Sequence, residues 1–454
     1  MLTYELKKAP GVPLYEALYR CIRGDILSGR LAAGEKLPSK RALAAHLEVS
    51  KITVEAAYSQ LAAEGYISAR EKVGYFVEQV DTVSIQSAPA MPSQLEAATT
   101  MVDLTANAPA KFPFSVWSKL QRQVLLDHSH ELLEPVPHQG VSALRCAIAQ
   151  HLAGFRGMQV DPENIIIGAG TDFLYNLLLQ LLGQEKIYAL EEPGYSKIRR
   201  IYDAAGAKSI PAPMDSQGVI PEAIGSAQIL HISPSHHFPT GLITPMHRRQ
   251  ALLRWASEGE RWIIEDDYDS EFRFDAHPVN AMYSSSEQGR VIYMNSFSKS
   301  LAPSIRMGYM VLPPALMHKF REKLGFYSCT VSGFEQHTLA RFLSEGHFEK
   351  HINRMRKFYR SRRNRLVEML QSCRWADQLT IEEADAGLHF LVNVDTDLSD
   401  EALEEFCLGL GLKVRCLNRY YFGTPPQESR HRIVVNYSGL REEDLARLTD
   451  ILGR

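Results

Sequence analysis

Between residues 165 and 311, short runs rich in β-branched and aromatic residues alternate with longer stretches of helical period, and this alternation constrains the fold most. The runs fall at 165–167, 187–190, 229–232, 262–264 and 291–294. Strands separated by helices are accommodated in a mostly parallel sheet, so an α/β domain is expected. After Gly325 comes an Arg-rich helical region, and residues 375–454 read as a small α+β subdomain. A chain of 454 residues favours two or three domains. With 45% apolar and 23% charged residues, disorder, collagen-like repeats and a disulfide scaffold are excluded as the main state.

A boundary falls before the α/β region. Residues 83–100 (VSIQSAPAMPSQLEAATT) carry one charge and neither apolar period, so 81–101 reads as a linker between an N-terminal module (1–80) and a second domain (102–454). The whole chain has a net charge of −3, but residues 1–80 hold eleven Lys or Arg against nine Asp or Glu. A polyanionic partner is therefore sought in the N-terminal module alone. There, an amphipathic helix over 14–27 ends at Gly29. Pro38 and Ser39 open a short second helix, and Val49-Ser50 turns into a third over about 51–63. Strands at 65–67 and 74–77, with Arg70 and Lys72 between them, complete a winged helix-turn-helix. In this arrangement the third helix enters the major groove of double-stranded DNA. Ser39 and helix-start N–H groups meet phosphate, Arg41, Lys51 and Thr53 face the groove, and Arg70 or Lys72 reaches the backbone.

In the second domain the stretch VIYMNSFSKSLAPSIRMGYMV (291–311) sets Lys299 beside Ser296 and Ser298, with Arg306 seven residues on. A lysine among hydroxyls and a guanidinium suits a cofactor bearing both an aldehyde and a phosphate, pyridoxal 5′-phosphate. Upstream, RWIIEDDYDSEFRF (261–274) supplies an Asp for a pyridine nitrogen and Tyr268 for a phenolic oxygen. GAGT (168–171) precedes a helix whose first N–H groups, with the Thr171 hydroxyl, can receive phosphate. Tyr195 is a candidate for the ring face, and Arg432 is placed to grip a ligand carboxylate.

LPS-x-R at 37–41 and S-x-x-TV-x-x-AY-x-x-L at 50–61 resemble the winged helix of GntR-type regulators. Residues 102–454 resemble a fold-type I, class I aminotransferase-like domain. SPSHHFPTG (233–241), EDDYDSEF (265–272), SFSK (296–299) and EGHFEKHINRMR (345–356) carry the likeness of the whole chain to the MocR family of bacterial regulators. The resemblance implies a Schiff base at Lys299, Asp266 at the pyridine nitrogen with Asp267 as the alternative, and Tyr268 at the phenolic oxygen. Ser296, Ser298, Arg306, Gly170 and Thr171 go to the phosphate, Tyr195 to the ring and Arg432 to a carboxylate. It further implies a homodimer that binds promoter DNA and senses pyridoxal phosphate or an amino-acid-like effector, the effector's identity being left open.

Four positions depart from the family patterns. Lys51 stands where GntR-type helices usually have Arg, and Lys72 where a wing Gly is usual. Phe238 stands where catalytic aminotransferases have Asn before Pro-Thr-Gly, which suits a sensor with little turnover, and His237 replaces the regulators' usual Gln. An active aminotransferase, or a domain retained for dimerisation without cofactor, are the competing readings.

Several features take plainer readings. His236 and His237 are read as pocket-lining or structural, with no metal site assigned. The eight basic residues between 350 and 365 read as a solvated or subunit-contacting face, with Ile352, Met355, Tyr359 and Leu366 on the apolar side. Phe112, Phe114 and Trp117 read as packing anchors. Six scattered cysteines without a C-x-x-C pair, and no run of the ~20 apolar residues needed to span a bilayer, lead to the expectation of a cytoplasmic protein with no membrane partner.

Overall fold

A computed structural model describes residues 2–4, 13–70, 73–80, 101–106, 111–274, 280–382 and 387–453. The chain divides into two compact units, Met1–Ala97 and Ala98–Arg454. The expected linker lies almost wholly outside the described residues. No helix among the described residues is long and apolar enough to cross a membrane.

In the first unit, helices α1 (Leu14–Leu27), α2 (Lys40–His46) and α3 (Lys51–Ala63) precede a hairpin of β1 (Ile67–Arg70) and β2 (Gly74–Val77). Ser39 and Ser50 start the two short helices, each Oγ accepting a backbone N–H three residues on, Ala42 at 3.2 Å and Thr53 at 3.1 Å. Leu18, Ile22 and Ile26 form the buried stripe of α1 and pack on Leu43, Val54, Tyr58 and Leu61. The first wing strand starts two residues later than its expected position. Gly65, at φ 78°, ends α3 in a left-handed turn, and pairing then runs from Ile67↔Val77 to Arg70↔Gly74. Arg70 thus closes the strand instead of lying in the turn.

The second unit begins with β3 (Val102–Asp103), α4 (Phe114–Asp127) and α5 (Ser142–Arg156). Then come β4 (Ile165–Gly168), α6 (Thr171–Leu182), β5 (Ile187–Glu192), α7 (Ser196–Ala204), β6 (Lys208–Asp215), β7 (Gly218–Val219) and β8 (Ile229–Ile232). After α8 (Met246–Ser257) follow β9 (Trp262–Asp266), β10 (Val291–Ser296), β11 (Gly308–Val311), α9 (Pro314–Leu324), α10 (Gly333–Ser344) and α11 (His347–Gln371). The C-terminal part contains β12 (Leu379–Glu382), β13 (His389–Val394), α12 (Asp400–Gly409), β14 (Leu412–Lys413), β15 (Arg432–Asn436) and α13 (Glu442–Gly453).

Eight strands form one sheet in the order β4-β11-β10-β9-β8-β5-β6-β7, with β11 and β7 antiparallel to their neighbours and the other six running one way. All five runs singled out in the sequence are strands of it. Ile165, Ile167, Tyr293 and Val311 of its strands pack on α5 and α10, while Ile166, Ile264, Ile292 and Met310 pack on α6 and α9. Helices thus cover both faces, as continuous apolar strands require. A three-stranded antiparallel sheet, β12-β13-β15, belongs to the small subdomain.

The Arg-rich α11 departs from a simple solvated face. Ile352, Met355, Tyr359 and Leu366 are buried as expected, but so is Arg362, which donates to the Leu440 carbonyl and pairs with Glu442 at 3.1 Å. Arg356 donates to the Glu271 carbonyl at 2.6 Å and Arg360 to that of Phe274. These cations satisfy carbonyls left unpaired by neighbouring loops. Of the three aromatic anchors, Trp117 is buried between Phe112 and Phe342, whereas Phe114 is 75% exposed.

Candidate functional site

The carboxyl ends of β5, β8, β9 and β10, with the β4–α6 turn, open onto one cavity of about 420 Å³. Open α/β sheets bind ligands at this end because loops there can diverge around a crevice. At the β4–α6 turn, Gly170 caps α6 with φ 83° and ψ 173°, backbone angles closed to residues with a Cβ. The amino end of α6, with Thr171 in the cavity wall, presents unpaired N–H groups and the positive pole of the helix. Arg306 crosses above it, donating to the Ala169 carbonyl at 3.2 Å and lying 3.4 Å from Asp172, a carboxylate it shares with Lys197. A Cβ on Gly170 would sit 2.8 Å from Arg306 Nη2, so a side chain there would displace the guanidinium from this crossing. Ser296 ends β10, and Ser298 and Lys299 follow it into the same cavity. Hydroxyls, helix N–H groups and a guanidinium thus surround one space, a donor set with the chemistry to receive a phosphate dianion.

Successive side chains of a strand point to opposite faces, and this separates the two neighbouring aspartates at the end of β9. Asp266 lines the cavity; its Oδ2 accepts the Tyr175 hydroxyl and lies 3.6 Å from His231 Nε2. Its Oδ1 is buried without a hydrogen-bond partner among the described residues, an acceptor open to a protonated ring nitrogen. Asp267 is turned away, paired with Arg156 at 3.0 Å and accepting the Tyr293 hydroxyl at 2.5 Å. Tyr175 stays a proton donor, since burial and the Asp266 charge push its phenol well above the usual range.

Burial lowers the Lys299 amine to about 8, against the opposing pull of the Asp269 carboxylate. Asp269 lies 2.9 Å from His236 Nδ1, and the Tyr268 hydroxyl lies 3.2 Å from the same nitrogen. His389 completes a buried group with His236 and Asp269 whose donor atoms all lie within 4.8 Å, a third member that sequence spacing does not reveal. Tyr195 lines the mouth, 48% exposed, edge-on to Phe238 with ring centroids 5.7 Å apart. Phe238 also packs on His389 and Tyr420, so an apolar ring fills the position before Pro239.

In the N-terminal unit, Ser39 and Arg41 are exposed at the start of α2 and Lys51 at the start of α3, and Arg70 is exposed on the wing with its guanidinium 4.3 Å from the Phe76 ring centroid. Thr53 is half-buried, its Oγ1 2.8 Å from Ser50 Oγ. Lys72 lies outside the described residues. Ser39 already accepts the Ala42 N–H, so its hydroxyl proton remains to donate to phosphate.

Residues 14–77 match the bacterial regulatory proteins of the gntR family, and residues 99–452 match the aminotransferase class I and II family. The chain is 35% identical over 460 residues to the probable rhizopine catabolism regulatory protein MocR of Rhizobium meliloti, covering 96% of this chain and 92% of that one. It belongs to the MocR family. With the HTH-type transcriptional regulator YdeL of Bacillus subtilis, this MocR-type chain shares 37% identity, over 98% of its own length and 97% of the relative's. With the pyridoxine biosynthesis regulator PdxR of Corynebacterium glutamicum it shares 30%, over 94% and 92%. Among solved structures, a multiple substrate aminotransferase from Thermococcus profundus superposes with a TM-score of 0.68 at 21% identity, covering 82% of this chain and 97% of that one. That likeness establishes the fold. The chain is thus a transcriptional regulator of the MocR type, a winged helix joined to a fold whose family depends on pyridoxal phosphate.

Lys299, Asp266, Tyr268, Ser296, Ser298, Arg306, Thr171 and Tyr195 of this MocR-type regulator all line the one cavity, and Gly170 abuts Arg306 beside it. Arg432 is placed elsewhere. It starts β15 and its guanidinium is ion-paired with Glu382 of β12, outside the cavity lining. Sequence reasoning did not find Tyr175, Glu191, Arg415, Tyr420 or Asn436, which do line it. Tyr175 carried a signal, lying one helical turn after Thr171 on the same face of α6. The others come from loops and strand ends with no short motif.

Proposed function

We propose that this regulator holds pyridoxal 5′-phosphate in the sheet-end cavity, reads an amino compound there, and binds promoter DNA through α2, α3 and the wing as a homodimer. The observation that carries the proposal is the unpartnered Asp266 Oδ1 in the same cavity as Lys299 and the α6–Arg306 cradle. Each group matches a different part of the cofactor, and the buried Asp266 Oδ1 is costly to leave without a donor. Bound pyridoxal phosphate supplies an aldehyde for primary amines and an electron-poor ring.

Thr171, Ser296, Ser298 and Arg306 hold the phosphate at the positive end of α6. Tyr175 and His231 orient the Asp266 carboxyl so that Oδ1 accepts the ring N–H. Tyr268 donates its hydroxyl to the phenolic oxygen, and Tyr195 covers the ring. Lys299, with its amine lowered to about 8, is partly neutral near physiological pH, the state in which nitrogen is nucleophilic. Phe238 offers no polar contact where an aminotransferase has an amide, which favours sensing over efficient turnover. Exposed Phe114, Leu126, Leu133 and Phe326 in the second unit support pairing with a second copy.

A ligand that fits one arrangement of the dimer better than another shifts the population toward it. Purified wild type should show a visible cofactor band and borohydride-trapped label, both lost in Lys299→Ala. Operator affinity should change with cofactor or amine by about 5–150-fold in wild type, the ordinary size of such coupling, and not in the variant. Label persisting on another lysine, or identical affinity in all forms, would overturn the reading.

A further inference from the structure

Away from the sheet-end cavity, α4 and α10 pack on one another, and the chain leaving α4 sets two polar residues against α10. His128 caps the C-terminal end of α4, and Glu131 opens the single helical turn Glu131–Leu133 that follows. His337 sits in the second turn of α10 and is 7% exposed. The three side chains meet. Glu131 Oε2 lies 2.8 Å from His128 Nδ1 and 3.8 Å from His337 Nε2, and the two imidazoles stack with centroids 4.6 Å apart at an interplanar angle of 29°. One donor atom from each lies within 4.8 Å of the other two. None of the three lines the cavity.

Neither ring nitrogen of His337 has a hydrogen bond among the described residues, and the Glu131 carboxylate at 3.8 Å is beyond hydrogen-bond reach. An imidazole buried this far ordinarily pairs at least one nitrogen. Burial and the adjacent His128 ring lower the His337 imidazole, which keeps it neutral, the form that offers a lone pair to a cation. Arg341, one turn later on α10, gives its guanidinium to Asp127 at 2.6 Å, which leaves the Glu131 charge facing the two imidazoles. The spacing also suits a shared ion. Zinc bonds of about 2.0–2.2 Å in a tetrahedron set neighbouring donors about 3.3–3.6 Å apart. The separations of 2.8 and 3.8 Å bracket that range, and the Glu131 side chain, 63% exposed, can rotate to equalise them without disturbing the packing.

We propose that His128, Glu131 and His337 form a three-ligand site for a divalent transition ion of the zinc type, which fastens the end of α4 and the turn after it to α10. Two imidazole nitrogens and one carboxylate oxygen suit Zn²⁺, Co²⁺ or Ni²⁺ and disfavour Mg²⁺ and Ca²⁺, which take oxygen ligands. Three protein ligands leave a fourth position for water, and the exposed Glu131 and partly exposed His128 side chains give solvent a route to it. Without an ion, the His128–Glu131 contact is a surface pair of little worth. A shared cation joins it to a helix far away in the sequence. The three residues stand outside the cavity, so this inference does not depend on the cofactor reading.

The test uses the full-length, untagged protein, stripped of metal by a chelator and titrated near neutral pH with Zn²⁺ in competition with a chromophoric chelator, and with Co²⁺ as a spectroscopic probe. Wild type should take up one ion per chain with half-saturation below about 10 μM, and excess Mg²⁺ should not displace it. Glu131→Gln, His128→Ala and His337→Ala should each weaken binding about tenfold or more. The first two alter partly or fully exposed side chains, so they decide the matter even where His337→Ala fails to fold. His130→Ala, which removes an exposed histidine of the same turn, should bind as wild type. Half-saturation above about 10 μM would mean an adventitious ion only and overturn the proposal. So would a loss of less than about tenfold in both Glu131→Gln and His128→Ala, a loss found in His130→Ala instead, or a loss in His389→Ala without one in Glu131→Gln, which would place the ion in the His236–Asp269–His389 group.

Discussion

Replacing Gly170 with alanine should damage stability and cofactor affinity by separate routes whose sizes follow from the geometry. At φ 83° and ψ 173° the backbone occupies a region nearly restricted to glycine, so a Cβ costs about 1–3 kcal/mol wherever it points. The added methyl would also lie 2.8 Å from Arg306 Nη2 and 2.9 Å from Cζ. A long side chain can swing aside, so this second clash costs little in stability, but it moves the guanidinium from the cradle. One lost charge-assisted hydrogen bond is worth about 1.5–3 kcal/mol, or roughly 10- to 150-fold in the dissociation constant of pyridoxal phosphate. Denaturant titration of the cofactor-free protein reads the first effect, and titration of the visible band reads the second. Arg306→Ala isolates them. Gly170→Ala should weaken cofactor binding much less in that background, whereas its stability cost should persist. Wild-type cofactor affinity in Gly170→Ala would refute the placement of Arg306 over the phosphate cradle.

Because burial brings the Lys299 amine to about 8 from an ordinary 10.5, the neutral fraction, and with it the rate of cofactor capture, should rise about tenfold per pH unit up to about 8 and then level. The same shift means the unfolded chain binds more protons between pH 8 and 10.5, so this lysine makes the cofactor-free protein more stable as pH rises through that window. Lys299→Met should flatten that part of the stability profile. Arg41→Ala and Lys51→Ala should each reduce the salt slope of operator binding by about one unit, and an unchanged slope would move that residue off the DNA. Arg362→Met should leave operator affinity unaltered while lowering stability by about 1–3 kcal/mol through the orphaned Leu440 carbonyl; a normal unfolding midpoint would show that the buried guanidinium is not a strut.

The grouping of Gly170, Thr171, Ser296, Ser298, Lys299 and Arg306 was legible because its parts are local. Gly170 and Thr171 lie at one turn, while Ser296, Ser298, Lys299 and Arg306 lie within one segment of eleven residues, so sequence distance stands in for spatial distance. Asp266 and Asp267 could not be told apart by motif spacing, and strand parity separates them in the fold. Arg432 was expected at the ligand because it opens a strand near the C-terminus. Its true neighbour, Glu382, comes from a strand fifty residues earlier, two strands across in the small sheet. Arg415 gave no signal, since what matters there is the bridge of Cys416 to Ile433 that brings an irregular loop to the cavity. In α11 the basic run hid its role because the carbonyls it satisfies belong to distant loops.

The segment from Arg415 to Gly423 is attached to the end of β5, where Glu192 accepts the N–H groups of Phe422 at 2.8 Å and Gly423 at 3.3 Å, and Gly194 N–H bonds the Tyr420 carbonyl at 2.9 Å. The two walls of the cavity therefore have separate origins in the chain, one from the large sheet and one from this stapled loop. On the proposed function, mutations in the loop should retune which amine is read without disturbing the residues at the α6 end of the cavity. Each wall can therefore change its side chains while the backbone of the other stays where its own sheet or staple holds it.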